Sequence, residues 1–227
     1  MLVMNWMSKD VVTIDEQESM GTTMKIMKEK KIPSFPVMRG DKIVGIITDR
    51  DIKKASASNA TSLEIHELLY LLAKINVKDI MTPNPITVPS DYTVEEAAEI
   101  LLQNNISGLP VVDSRGKLVG IITKNDIFKA MISLTGAGKD TVLFALRVAD
   151  RRGALKEVTD VIRNCGGRMK SILTSYDRAL PGHRNVYIRV FELDHPCLPG
   201  LIDQLKEMAI LRYVVDQYTN TREIYMN

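Results

Sequence analysis

Aromatic side chains are scarce in this chain of 227 residues, where Phe, Trp and Tyr together make up 5%. Hydrophobic residues still reach 45%, so any core must be built from Ile, Leu, Val and Met. Cysteine is rarer. Cys165 and Cys197 are too few for a disulfide framework and suggest a reducing compartment. Neither charge sign dominates: 30 basic residues face 28 acidic ones, for a net charge of +2. With no basic block and no DNA-reading module, a nucleic-acid partner is not expected. No apolar run approaches the roughly 18 residues of a membrane span. The amino end, MLVMNWMSKD, lacks the basic start and long apolar core of a secretory signal. The expectation is a soluble cytoplasmic protein without a membrane partner.

Catalytic and metal-binding constellations are missing too. His66 has Tyr70 four residues on, where a second ligand would stand, and His183 lies in the turn LPGHRN. His195 and Cys197 are close in DHPC, but no second cluster completes a four-ligand set. GAGKD, at 136–140, lacks the first glycine of a phosphate loop. It also has Asp140 where a Ser or Thr would hold magnesium. It reads as a linker. No catalytic residue, metal site or obligatory cofactor is expected.

What the chain does have is a copy of itself. VMNWMSKDVVTI, from Val3, aligns with VKDIMTPNPITV, from Val77, at an offset of 74. The offset carries Met7 onto Met81, Thr13 onto Thr87, Ile32 onto Ile106 and Pro36 onto Pro110. One residue is gained in a Gly-containing turn, RGDK against DSRGK, where an insertion costs least. Thereafter Gly45, Thr48 and Asp51 meet Gly120, Thr123 and Asp126 at an offset of 75. Each copy reads strand, helix, strand, turn, strand, helix. Met20, Met24 and Met27 have helical spacing in the first, and Val94, Ala97, Ala98 and Leu101 in the second. One such copy is marginal alone, so two are expected to bury each other's sheet faces as one module.

Between the copies, residues 56–76 carry a helix start at Thr61-x-x-Glu64 and an apolar face of Leu68, Leu69, Leu71, Leu72 and Ile75. That face packs on its own module or forms a dimer contact. From Thr141 a different pattern begins. It runs strand, helix with Leu155, Val158, Ile162 and Cys165, two strands, helix with Leu201, Ile202, Leu205 and Met208, and strand. This is the β-α-β-β-α-β order of a ferredoxin-like fold. The class is therefore α/β (α+β). Expected boundaries are 1–55, a linker helix at 56–76, 77–132, a linker at 133–140, a third unit at 141–218 and a tail at 219–227.

The repeated ending, GIITDRD and GIITKND, is the most informative motif. Thr48-x-x-Asp51 and Thr123-x-x-Asp126 are capping boxes, each worth about 0.5–2 kcal/mol. The same atoms suit a nucleoside phosphate. A carboxylate at a helix start can accept from two sugar hydroxyls, and helix N–H groups suit a phosphate. Basic Arg50, Lys53, Lys54 and Lys124 lie close in sequence to supply phosphate charge. Both readings stay open on the residues alone.

The motifs DIMTPNPITV, NNISGLPVVD and KLVGIITKNDI, with NWMSKDVVTI, KKIPSFPVM and KIVGIITDRDI in the first copy, resemble CBS domains over residues 1–132. A CBS pair forms a Bateman module. The resemblance implies a regulatory, non-catalytic protein whose ligand is an adenine nucleotide (AMP, ADP or ATP) or S-adenosylmethionine. It implies that Asp51 and Asp126 hold ribose hydroxyls and that Thr48 and Thr123 hold ribose or phosphate. Thr13 and Thr87 would stand at the pocket edge. Ile32, Pro33, Phe35, Pro36 and Val37, with Ile106, Ser107, Gly108, Leu109, Pro110 and Val111, would frame the base. Arg50 becomes Asn125 and Asp49 becomes Lys124, so the two pockets should differ at these positions. The third unit, in VADRRGALKEVTDVI, resembles an ACT domain. This implies an amino-acid effector near Asp150, Gly153, Ala154 and Leu155, although Arg152 stands where proline is frequent. The order CBS, CBS, ACT resembles acetoin-utilisation regulators and implies a homodimer acting on an unknown regulated protein.

Overall fold

Both copies of the repeat fold from the same local signals. In the first, β1 (Ile14–Asp15) leads to α1 (Met20–Lys30), β2 (Ser34–Arg39), β3 (Lys42–Thr48) and α2 (Asp49–Asn59). In the second, α3 (Val77–Ile80) and β4 (Thr82–Pro83) precede β5 (Val88–Pro89), α4 (Val94–Gln103), β6 (Gly108–Val112), β7 (Leu118–Thr123) and α5 (Lys124–Thr135). A computed structural model describes residues 1–59 and 74–225 of the chain. The helix expected across 56–76 therefore lies mostly outside the described residues, with Thr61, Glu64, His66, Leu68, Leu69, Leu71 and Leu72.

Caps start the paired helices. The Ser19 hydroxyl oxygen accepts from the Thr22 N–H at 3.0 Å to open α1. At the equivalent place Thr93 accepts from Glu96 N–H at 3.2 Å, and the Glu96 carboxylate accepts from Thr93 N–H at 2.7 Å. That backbone hydrogen bond holds the Glu96 carboxyl below its usual range. The helices also stop alike, with left-handed backbone at Lys31 (φ 54°) just past α1 and at Asn105 (φ 51°) just past α4.

The chain divides into two compact units, Met1–Ala130 and Met131–Asn227. In the first unit each copy has a parallel pair followed by a hairpin: β1 and β5 run parallel to β2 and β6, which pair antiparallel with β3 and β7. A bulge falls at the same place in both, after Val37 and after Val111.

The two copies trade their leading segments. Val3 is fully buried with Leu109, Val111 and Ile122 of the second copy, while Val77 is fully buried with Phe35, Val37 and Ile47 of the first. Val3 N–H donates to the Tyr92 carbonyl at 2.8 Å, and Val77 N–H donates to the Glu18 carbonyl at 2.8 Å. Strand β4 pairs with β3, and Ser8 bridges Ile121. The boundaries 1–55 and 77–132 thus follow chain order, whereas the two cores do not. The reason is burial, since each sheet covers its apolar face with the other copy's leading segment.

This exchange accounts for the repeated glycine. It stands inside strands β3 and β7, not at the corner. A Cβ on Gly45 would collide with Met81 Sδ, and a Cβ on Gly120 with Met7 Sδ. The paired methionines and paired glycines are one device used twice.

In the second unit β8 (Val142–Ala149), α6 (Ala154–Asn164), β9 (Arg168–Ser175), β10 (His183–Phe191), α7 (Leu198–Met208) and β11 (Ile210–Asp216) form the expected βαββαβ order. The sheet runs β12-β11-β8-β10-β9, all antiparallel. Phe144, Leu146, Ile162, Ile188, Leu201 and Leu205 fill the core between this sheet and its two helices.

Three expectations are corrected here. The tail at 219–227 contains β12 (Thr221–Ile224), an edge strand returned by a turn in which Asp216 Oδ1 accepts from Tyr218 N–H at 2.8 Å. The linker at 133–140 begins inside α5, which ends at Thr135 and is followed by Gly136 with φ 62°. Cys165 and Cys197 form a disulfide, so the scarcity of cysteine did not leave these thiols unpaired. The fold sets their Cα atoms 5.8 Å apart, within bonding reach, although 32 residues separate them in sequence. Among the described residues no helix is long and apolar enough to cross a membrane.

Candidate functional site

The strand-to-helix corners hold their shape by themselves. At the first, Thr48 N–H and Oγ1 donate to Asp51 Oδ2 at 2.9 and 2.6 Å, and Asp51 N–H donates to Thr48 Oγ1 at 3.3 Å. The second repeats this between Thr123 and Asp126 at 3.0, 2.6 and 3.4 Å. Each box uses one carboxylate oxygen and leaves the other. Here the copies part. Asp126 Oδ1 accepts from Lys129 Nζ at 3.2 Å, and its side chain is 9% exposed. Among the described residues no side chain makes such a bond to Asp51 Oδ1, and Asp51 is half-buried at the wall of a cavity.

That cavity has a volume of about 910 Å³, inside the range of about 300–1,000 Å³ usual for small-molecule sites. It joins both copies within the first compact unit. Pro33, Thr48, Arg50 and Asp51 come from the first, and Ile106, Ser107, Gly108 and Lys124 from the second. Lys53 and Lys54 also line it, with Lys53 held by Asp49 at 2.6 Å.

The other expected site residues fall elsewhere. Phe35, Val37, Leu109 and Val111 are fully buried in the two cores, and Pro36 and Pro110 are buried beside them. Strand alternation turns Phe35, Val37, Leu109 and Val111 to the core face, and the two prolines between them are buried on the opposite face, so none of the six lines the cavity. Thr13 lines a separate hollow of about 250 Å³ with Met38 and Leu118. Ile32 packs partly against the first core. Thr87, Thr123, Asn125 and Asp126 do not line the large cavity. In the second unit Gly153 adopts φ 85° as the residue before α6, a conformation that favours glycine. Ala154 is buried, and the partly buried Leu155 packs on the core. Asp150 is exposed, accepts from the Tyr176 hydroxyl at 3.2 Å and faces Arg184 at 3.9 Å.

Several lining residues were not anticipated: Ser34, Ile46, Asn105 and the run Thr82, Asn84, Pro85 and Ile86. The last four follow the leading segment of the second copy and reach the first copy's corner only because β4 crosses to β3. Nothing local in TPNPI announces this. His195 and Cys197 do not form a metal site. Cys197 is in the disulfide, and His195 Nε2 lies 3.1 Å from Asp216. Burial opposes the charge on Asp216, but hydrogen bonds from Thr219 and from the Tyr218 and Thr219 N–H groups, with His195, hold its carboxyl below its usual value. Among the described residues no group of three His, Cys, Asp or Glu side chains could hold a metal ion.

A family model described as the CBS domain matches residues 3–58 and 77–133. A CBS domain-containing protein of Dictyostelium discoideum is 34% identical over 134 residues, covering 59% of this chain and 92% of that protein. An inosine-5'-monophosphate dehydrogenase of Korarchaeum cryptofilum is 38% identical over 120 residues, which span 22% of that enzyme. Among solved structures, the CBS domain pair of protein MJ0100, in complex with methylthioadenosine and S-adenosylmethionine, is 35% identical, with a TM-score of 0.50. The match covers 58% of this chain and 99% of that one.

Proposed function

The chain belongs to the CBS-domain family, and from that premise we propose that it is a non-catalytic regulator that senses an adenosine-containing ligand in the cleft of its CBS pair. The observation that carries this reading is the cavity of about 910 Å³, where the Thr48–Asp51 corner of one copy faces Ile106–Gly108 of the other. A similar CBS pair is described in complex with two adenosine compounds, which supports the same ligand class here. Asp51 Oδ1 is the acceptor for ribose hydroxyls, and the partly apolar walls at Pro33, Ile46 and Ile106 suit a base. Asp126 would hold ribose at a second, equivalent corner.

The second unit is proposed to be an ACT-type domain taking a small effector such as an amino acid at Asp150 and Gly153. In this reading the protein is a homodimer that passes ligand occupancy to a regulated partner protein, as in acetoin-utilisation regulators. A second reading follows from the completed capping boxes, whose threonine and aspartate already satisfy each other. There the corners are structural only and the protein is a dimerisation module. A thermal-shift screen of the full chain with AMP, ATP, S-adenosylmethionine, methylthioadenosine and amino acids separates the two. A ligand at 100 times its Kd should add about 2.7 kcal/mol to the stability of the unit it binds. No shift with any adenosine compound would sink the sensing reading.

A further inference from the structure

The two corners share their caps but not their charges. Among the described residues that line the cavity at Asp51, four are basic (Arg50, Lys53, Lys54 and Lys124) and two are acidic (Asp49 and Asp51). The excess is two positive charges. Arg50 is exposed, and neither its side chain nor that of Lys124 has a hydrogen-bond or ion-pair partner among the described residues.

The repeat supplies the equivalent set at the other corner. Arg50 becomes Asn125, Lys53 becomes Phe128, Asn84 becomes Asp10, and the Lys124 that faces the first corner becomes Asp49. Lys54 becomes Lys129, which is spent on Asp126 Oδ1 at 3.2 Å. Lys31 takes the place of Asn105, and both have left-handed backbone, which confirms the equivalence of these positions. Counted over the same positions, three basic residues (Lys31, Lys124, Lys129) balance three acidic ones (Asp10, Asp49, Asp126).

We propose that the cleft at Asp51 selects a phosphorylated adenosine ligand and that the equivalent corner at Asp126 does not. This rests on the adenosine-sensing reading and adds which corner reads phosphate. A ribose at Asp51 leaves the 5′ substituent near Arg50 and Lys124, whose guanidinium and ammonium groups suit phosphate oxygens. At the Asp126 corner Asp10, Asp49 and Asp126 offset Lys31, Lys124 and Lys129, and Asn125 and Phe128 add no positive charge for a phosphate. That corner suits an adenosine compound without phosphate.

Calorimetric titration of the full chain with AMP, adenosine and methylthioadenosine, at low and high salt, tests this. AMP should bind at one per chain, about tenfold or more tighter than adenosine at low salt, the effect of one charge-assisted hydrogen bond. The preference should shrink in high salt, because these side chains are solvent-accessible. Arg50→Asn and Lys124→Asp, which copy the other corner, should each weaken AMP about tenfold and adenosine much less. Retained adenosine binding also reports that the variants are folded. Equal affinity for AMP and adenosine, two AMP per chain, or an AMP preference untouched by both substitutions would each overturn the proposal while leaving adenosine sensing intact. Failure of all three compounds to bind would overturn the sensing reading itself, and the proposal with it.

Discussion

The corner at Asp51 and the corner at Asp126 agree to within about 0.1 Å in all three cap hydrogen bonds, yet only one opens on the large cavity. The difference lies in what surrounds the second carboxylate oxygen. Lys129 occupies it at Asp126, whereas among the described residues no side chain donates to it at Asp51, which lines the cavity. A duplicated backbone solution has been kept in both copies, while the side chains outside the cap have diverged. Cap and cavity wall are therefore separable, although they share atoms.

The largest effect that would sharpen this contrast is on affinity. Asp51→Asn keeps the shape of the side chain but removes the charge proposed to accept from ribose. A charged hydrogen bond is worth about 1.5–3 kcal/mol, so AMP should bind at least about tenfold more weakly in titration. Asp126→Asn should weaken it less. A larger loss from Asp126→Asn would reverse the assignment of the two corners.

The next effect tests what the copies share. Gly45→Ala and Gly120→Ala each drive a methyl group into the partner methionine's sulfur, an overpacking expected to cost about 1–3 kcal/mol. Both should lower the melting temperature of the first unit to a similar degree. Met81→Ala should recover part of the loss from Gly45→Ala, and Met7→Ala part of that from Gly120→Ala. Rescue by the wrong methionine would break the exchange of leading segments.

Smaller still is the cap itself. Thr48→Ala and Thr123→Ala should each destabilise by about 0.5–2 kcal/mol in chemical denaturation, nearly equally, since the two boxes match. A cost confined to one corner would show that the boxes are not energetically equivalent.

The smallest effect belongs to one copy alone. Arg39 Nε and a terminal guanidinium nitrogen donate to Glu16 at 2.6 and 2.8 Å. The equivalent positions are Ser90 and Asp113, which offer no such pair. The Arg39 hydrogen bond holds the Glu16 carboxyl below its ordinary value of 4.5. A depressed folded value means that the stabilisation is complete above pH 4.5 and is lost as pH falls through the folded value. Glu16→Gln should therefore lower the melting temperature slightly at neutral pH, and the gap to the parent should close in acid. A gap that widened as pH fell would contradict this ion pair.

Much of this was legible in the chain. The offset of 74, then 75, located both copies, and the same one-residue gain appears as a two-residue turn at Gly40–Asp41 against a longer one around Gly116. Thr93-x-x-Glu96 and both Thr-x-x-Asp boxes form as read, because a cap involves atoms only three residues apart. The βαββαβ order also followed from alternating periodicities. The site was legible in half. Thr48, Arg50, Asp51 and Lys124 could be found from the motif, whereas Phe35, Val37, Leu109 and Val111 sit on the core side of strands whose faces the motif does not distinguish.

The sequence by itself determined that the chain carries two copies of one unit and a third of another kind, where their helices begin, and which two corners carry a threonine and an aspartate. These are settled by hydrogen bonds and periodicities that span a few residues. The tertiary structure alone decided that Val3 completes the second core and Val77 the first, that Asn84–Ile86 reach the corner at Asp51, that Cys165 meets Cys197, and that the last residues add a strand to the sheet. Each of these depends on pairing between segments distant in the chain. Such pairings are chosen by how much apolar surface they bury together, which no local pattern records.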